Sequence, residues 1–326
     1  MQQNRKASTV NRRCLIVGCG YVGLPLGTEL VRRGHQVFGL RRSVLAEAEL
    51  KAAGITPLHA DITQPDSLKN LPRDFDWVVN CSASGGGGAD DYRKVYLEGN
   101  RHLLAWLAET PPKKFVYTSS TSVYAQNDGS VVTEDSAAKP EADTAKVLVE
   151  TEKLLLDTWE HRHLAGESSE KRRQDASAPG FPAVILRVAG IYGPGRGHAF
   201  KQFLRGEARI EGDGSRWLNM IHRDDLIGVI IAALEYGMPG EIYNAADNAP
   251  PSQLEFFTWL AAELKLPLPP TVAAEAEAWR KRGVTNKRIS NAKLRAELGY
   301  EFRFPDFRAG YAPEIARLTA EHFPPG

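Results

Sequence analysis

The strongest constraint on this chain is a short apolar run, Cys14-Leu15-Ile16-Val17, that ends directly on Gly18-Cys19-Gly20-Tyr21-Val22-Gly23. Four apolar residues in succession read as a strand buried on both faces, and a helical pattern with Leu26, Leu30 and Val31 follows. Each glycine has its own task in such a strand-to-helix turn. Gly18 permits the tight turn, Gly20 lets a ligand approach the backbone, and Gly23 lets helix and sheet pack closely. Pro25 falls early enough in the helix for its missing N–H to be one of the unpaired first-turn donors. Free N–H groups at the positive end of a helix make a site for phosphate.

The pattern repeats along the chain. Gln36–Leu40, Thr56–His59, Trp77–Cys81, Phe115–Thr118 and Ala183–Leu186 read as further strands. Helical patterns lie at Leu45–Ala53, around Tyr92–Glu109 and about Glu141–His163, the last with Leu148, Leu155 and Trp159 on one face. Apolar strands alternating with helices imply an α/β fold, a doubly wound parallel sheet of Rossmann type. Residues 12–187 are expected to form that domain. The polar stretch 166–180 reads as a mobile insertion, and residues 1–11 as a disordered tail. From 188 to 326 the alternation becomes irregular, with turns at Gly193-Pro194-Gly195 and Gly212-Asp213-Gly214. This part reads as a smaller, mixed substrate domain, partly interleaved with the first.

Composition removes several function classes. Lys+Arg total 41 against Asp+Glu 40, so there is no basic footprint for nucleic acid or an anionic membrane. Cys14, Cys19 and Cys81 lack metal-ligand spacing and are too few for a disulfide scaffold, which fits a reducing compartment and no metal site. No apolar run approaches the roughly 18 residues of a membrane span, and the polar start lacks the apolar stretch of a secretory signal. A cytoplasmic location is expected.

With that context, G-x-G-x-x-G reads as a dinucleotide fingerprint. The end of the second strand selects the cofactor. An NAD site places an acidic residue about 20 positions past the glycines. Here Leu40-Arg41-Arg42-Ser43 stands instead, with no carboxylate between Glu29 and Glu47. Two guanidiniums and a hydroxyl suit a 2′-phosphate, so NADP(H) is preferred and NAD(H) remains possible. The alternative is a solvated arginine pair. Asp61 lies where such folds contact adenine, or is a turn-forming Asp. Tyr21, Val22 and Ser82 complete the expected cofactor contacts.

These motifs, with Ser119-Ser120-Thr121-Ser122-Val123-Tyr124, Leu186-Arg187, Ile191-Tyr192-Gly193-Pro194-Gly195 and Asp224-Asp225, recur in an order that carries a family resemblance. From Arg12 to about Ala312 the chain resembles an atypical or extended short-chain dehydrogenase/reductase of the NAD-dependent epimerase/dehydratase group. Its C-terminal end resembles a sugar-nucleotide epimerase-like branch. The resemblance implies a Tyr-x-x-x-Lys pair on the helix after the fifth strand, with a Ser or Thr holding the substrate oxygen. Ser120 matches the hydroxyl, and Lys146 is the best match to the lysine, also as a cofactor contact. The tyrosine position is then Ala142, and no tyrosine occurs between Tyr124 and Tyr192. Tyr124, its pKa lowered by a cation at Lys146, or a water held by Ser120 is the candidate replacement acid; alternatively Tyr124 packs beneath the cleft.

Nucleotide-sugar members carry an Arg after the Gly-Asp-Gly turn, where this chain has Leu218. Arg216, His222 and Arg288 are the candidates to contact a small-molecule substrate instead. The resemblance also implies a homodimer through the helices near 92–109 and 141–163, where Leu103, Leu104, Leu107 and Leu148 offer apolar surface. Two functions follow as expectations. One is an NADP(H)-dependent oxidoreductase or epimerase-like enzyme acting on a small polar carbonyl or alcohol, with sugar derivatives among the options. The other is a non-catalytic NADP(H)-binding redox sensor.

Overall fold

The computed structural model describes residues 10–164, 181–273 and 285–322. The 166–180 stretch and nearly all of the N-terminal tail lie outside them. The chain opens with β1 (Arg13–Val17), α1 (Gly23–Arg32), β2 (Gln36–Arg41), α2 (Glu47–Ala52), β3 (Thr56–His59) and β4 (Trp77–Asn80). A continuous helical run then passes through α3 (Ala89–Tyr92), π-helical Arg93–Glu98 and α4 (Gly99–Leu107) before β5 (Lys114–Ser120). Next come β6 (Val131–Val132), α5 (Asp143–Leu164), β7 (Ala183–Val188), β8 (Gly190–Tyr192), α6 (His198–Leu204), β9 (Ile210–Glu211) and β10 (Met220–His222). The chain continues through α7 (Arg223–Tyr236), β11 (Ile242–Ala245), α8 (Gln253–Leu264), β12 (Thr271–Val272), β13 (Arg288–Ile289), α9 (Ala292–Leu298) and α10 (Phe307–His322).

The main sheet is parallel throughout, in the order β11-β7-β5-β4-β1-β2-β3. Apolar residues drive this on both faces. Ile16, Leu26, Leu30, Val116 and Val184 pack with Leu226, Ile230 and Leu234 of α7 on one side. Leu15, Val78, Phe115 and Ile185 pack with Leu103, Leu107 and Leu155 on the other. The strand order reverses between β1 and β4, so their carboxyl ends open a crevice at the switch point. The fold is Rossmann-type α/β, as the alternation implies.

Residues past 188 contribute to both lobes, because β11 is a strand of the main sheet and α7 covers its face. The smaller lobe is built around Tyr192, Phe200, Phe203, Phe256, Phe307 and Tyr311. The leucines proposed as a pairing surface are spoken for: Leu103, Leu107 and Leu148 are buried in the chain's own cores.

Candidate cofactor and active site

A cleft of about 490 Å³ runs along the carboxyl ends of the strands. Gly18, Gly20, Tyr21, Val22, Arg41, Arg42, Ser43, Asp61, Ser82 and Ser120 all line it. Gly18 has φ +89°, and a Cβ there would stand 2.7 Å from the Ser82 backbone. Only glycine fits that crossing of β1 and β4. Gly23 lies under the cleft, where an added Cβ would collide with the Gly18 carbonyl. At Gly20 the reverse holds, since a Cβ would meet nothing within 4 Å. The backbone is bare there, and the space beside the α1 N-terminus suits a diphosphate. The residues present therefore fit a dinucleotide.

At the adenosine end, Arg41 lies 3.3 Å from Glu49, and Arg42 lies 4.0 Å from Asp61. Asp61 is also fixed by Thr63, whose N–H and hydroxyl both donate to Oδ1 at 2.9 Å. These arginines are partly exposed and loosely paired, so a phosphate can compete for them.

The other end is lined by hydroxyls. Ser82 donates to Asn80 Oδ1 at 2.7 Å, Thr118 to the Asn80 carbonyl at 3.2 Å, and Ser119 to Glu152 Oε1 at 2.5 Å. Ser120 differs: its Oγ accepts from the Ser122 N–H at 3.2 Å, and among the described residues its proton has no partner. Val95 and Tyr96 reach the cleft from the π-helical stretch, a distortion that recurs at functional sites.

The structure corrects the reading of α5. Lys146 is half-exposed and donates to Asp143 at 2.8 Å, and Glu150 pairs with Arg93 on the surface. Neither lines the cleft. The carboxylate that faces the sheet is Glu152, gripped by Arg187 through Nε and Nη2 at 2.7–3.2 Å. Six helical residues rotate the side chain by about 600°, a net rotation of about 240°, so Lys146 and Glu152 point to different faces. One and two turns before Glu152 stand Leu148 and Thr144, both buried. Neither Thr144 nor Leu148 lines the cleft.

Tyr124 is packed and does not line the cleft. It is fully buried, its hydroxyl donates to Asn244 Oδ1 at 2.8 Å, and Arg187 Nη1 donates to it at 2.9 Å. Burial raises its pKa, outweighing the Arg187 charge, whereas a proton donor at this site would need it lowered. Its backbone carbonyl accepts from Lys287 at 2.7 Å. Burial pushes the Lys287 ammonium down to about 8.

Nor do the three substrate candidates converge. Arg216 lies 3.5 Å from Glu211, and Arg288 stacks on Trp217 and donates to the Gly129 carbonyl. His222 is buried, caps α7 through the Asp224 N–H and packs against Phe304. Burial lowers its pKa, so it stays neutral there. Among the lining residues that motif reading passes over are Thr63, Tyr96, Thr118 and Arg196. For Arg196 a signal exists, the glycines at positions 193, 195 and 197 that flank it.

The fold and cleft define a nucleotide-binding α/β protein of the short-chain dehydrogenase/reductase kind. The model of the NAD dependent epimerase/dehydratase family matches residues 14–246, and the chain belongs to that family. It is 30% identical over 301 residues to Protein YeeZ of Escherichia coli K12, across 90% of this chain and 97% of that one. It is 24% identical over 292 residues to a 2-alkyl-3-oxoalkanoate reductase of Stenotrophomonas maltophilia, across 86% and 84% of the two chains. Among solved structures, the dTDP-glucose 4,6-dehydratase DesIV of Streptomyces venezuelae, with NAD bound, superposes with a TM-score of 0.75. That match has 20% identity and covers 96% of this chain and 99% of DesIV, and it speaks to the fold. No helix among the described residues is long and apolar enough to cross a membrane.

Proposed function

We propose that this protein binds NADP(H) in preference to NAD(H) and uses it in hydride transfer on a small polar carbonyl or alcohol. The observation that carries the reading is one continuous cleft with Arg41, Arg42 and Ser43 at one end and the hydroxyl of Ser120 at the other. The cofactor, when bound, supplies or accepts the hydride. The chain's own residues hold it and manage one proton. Gly18 and Gly20 admit the diphosphate, and Arg41 and Arg42 hold the 2′-phosphate. Ser120, whose proton has no partner among the described residues whereas its neighbours Ser82, Thr118 and Ser119 donate into the protein, donates to the substrate oxygen. A water on Ser120 then takes the place of the tyrosine. The ketone-reducing name of the Stenotrophomonas relative supports a carbonyl substrate.

The test is NADPH oxidation over a panel of small oxo compounds. Ser120→Ala is expected to lower kcat by about 10²-fold, while Tyr124→Phe keeps it. Full turnover in Ser120→Ala would overturn the assignment. A second reading, a non-catalytic NADP(H) sensor, is favoured by one observation, the Thr144 and Leu148 side chains at the inward positions of α5. Tight NADPH binding with no oxidation anywhere in the panel would select it.

A further inference from the structure

The loop after β8 reaches back from the smaller lobe to the glycine turn. Gly193 and Arg196 exchange two backbone hydrogen bonds, N–H to carbonyl at 3.0 and 2.9 Å. Gly193, Gly195 and Gly197 have φ of 140°, 66° and 150°, a path closed to side chains that fixes where Arg196 leaves the backbone. The loop is docked as well as tight. Tyr21, inside the glycine turn, donates its hydroxyl to the Pro194 carbonyl at 3.2 Å, and the Arg196 guanidinium lies 4.8 Å over the Tyr21 ring. Arg196 lines the main cleft, whereas Arg223, on the same ring at 5.2 Å, lines a neighbouring hollow.

Three other arginines near the cleft have carboxylates to hand: Arg41 with Glu49, Arg42 with Asp61 and Arg223 with Asp224. Arg196 has none among the described residues. Its stacking on Tyr21 uses the face of the guanidinium and leaves the donors at its edge free. That edge is the part of an arginine that grips phosphate oxygens in pairs.

We infer that Arg196 is a diphosphate clamp. The N–H groups of the Gly18–Gly23 turn hold one side of the dinucleotide's diphosphate, and Arg196 holds the other from the smaller lobe. This rests on the cofactor reading above and adds a contact that ignores the 2′-phosphate. Arg41 and Arg196 then act on separate parts of one ligand.

The experiment is calorimetric titration of the full chain and of Arg196→Gln with NADPH, NADH, ADP-ribose and adenosine 2′-monophosphate. Arg196→Gln is expected to weaken the first three by about tenfold, the scale of one charge-assisted contact, and to leave adenosine 2′-monophosphate and the urea midpoint unchanged. Arg196→Lys should recover part of the loss. An unchanged affinity for ADP-ribose would overturn the clamp and leave the cofactor reading standing. So would an equal loss for adenosine 2′-monophosphate, since that ligand has no diphosphate. If the unaltered chain binds none of the dinucleotides, the cofactor reading falls and the clamp falls with it.

Discussion

The two ends of the cleft differ in what their side chains are free to do. At the adenosine end, Arg41 and Arg42 sit in loose, partly exposed pairs that a ligand phosphate can replace. At the opposite end almost every polar group is already committed. Ser82, Thr118 and Ser119 donate into the protein, and Glu152, Arg187, Tyr124 and Asn244 form one closed buried network. One end is built to recognise, the other to stay rigid. Under the proposed function, a cofactor site and its usual acid would be separable properties of a single fold.

The largest effect should come from breaking the rigid end. Arg187→Met leaves Glu152 buried without its cation, and removing one partner of a buried pair typically costs about 3–5 kcal/mol. Urea denaturation should register that loss. A shift no larger than a surface substitution gives would mean the network is not closed. Next in size is Arg41→Ala, expected to weaken NADPH by at least about tenfold and NADH hardly at all. Equal affinities of the unaltered protein for the two cofactors would remove the distinction between the ends.

A smaller effect concerns pH. Asp247 is buried with Oδ2 unpaired, and burial, reinforced by Asp306 and Asp225, raises its pKa to about 8. The unfolded carboxyl titrates near 3.9, roughly, so between about pH 4 and 8 the unfolded state has lost a proton that the folded state keeps. Stability therefore falls as pH rises through that window, and Asp247→Asn should flatten the slope. Asp247 lies outside the cleft lining, so the same substitution should leave the pH profile of turnover unmoved. A parallel shift in both would make it the missing acid. The smallest effect is expected at Lys146, where Lys146→Ala should leave both NADPH affinity and melting temperature in place. A marked loss of affinity would restore it to the site.

What is legible in the sequence follows from how local each signal is. The glycine turn and Leu40-Arg41-Arg42-Ser43 are contiguous, and each carries its own stereochemical or charge requirement, so they can be placed without the rest of the chain. The inward face of α5 cannot. Lys146 with Glu150, and Leu148 with Glu152, satisfy the same four-residue spacing, and only the approach of Arg187 from β7 distinguishes the two registers. Arg187 and Glu152 are brought together by the packing of α5 on β7, which no local pattern encodes. Which later segments interleave with the first sheet is not local either, since β11 and α7 announce themselves as ordinary apolar segments and not as parts of that sheet.

The late arrival of β11 and β13 has a consequence for how the chain is made. Val188 and its neighbours in β7 are flanked on one side by β11, and β6 pairs with β13 near the far end of the sequence. During synthesis the nucleotide half leaves the ribosome with an apolar edge strand uncovered and stays so until Ala245 follows. Contacts of such sequence separation form slowly, and an open apolar edge is a template for other strands. A fragment cut between the halves would expose that apolar edge, and it is expected to aggregate in place of folding as a smaller binding domain.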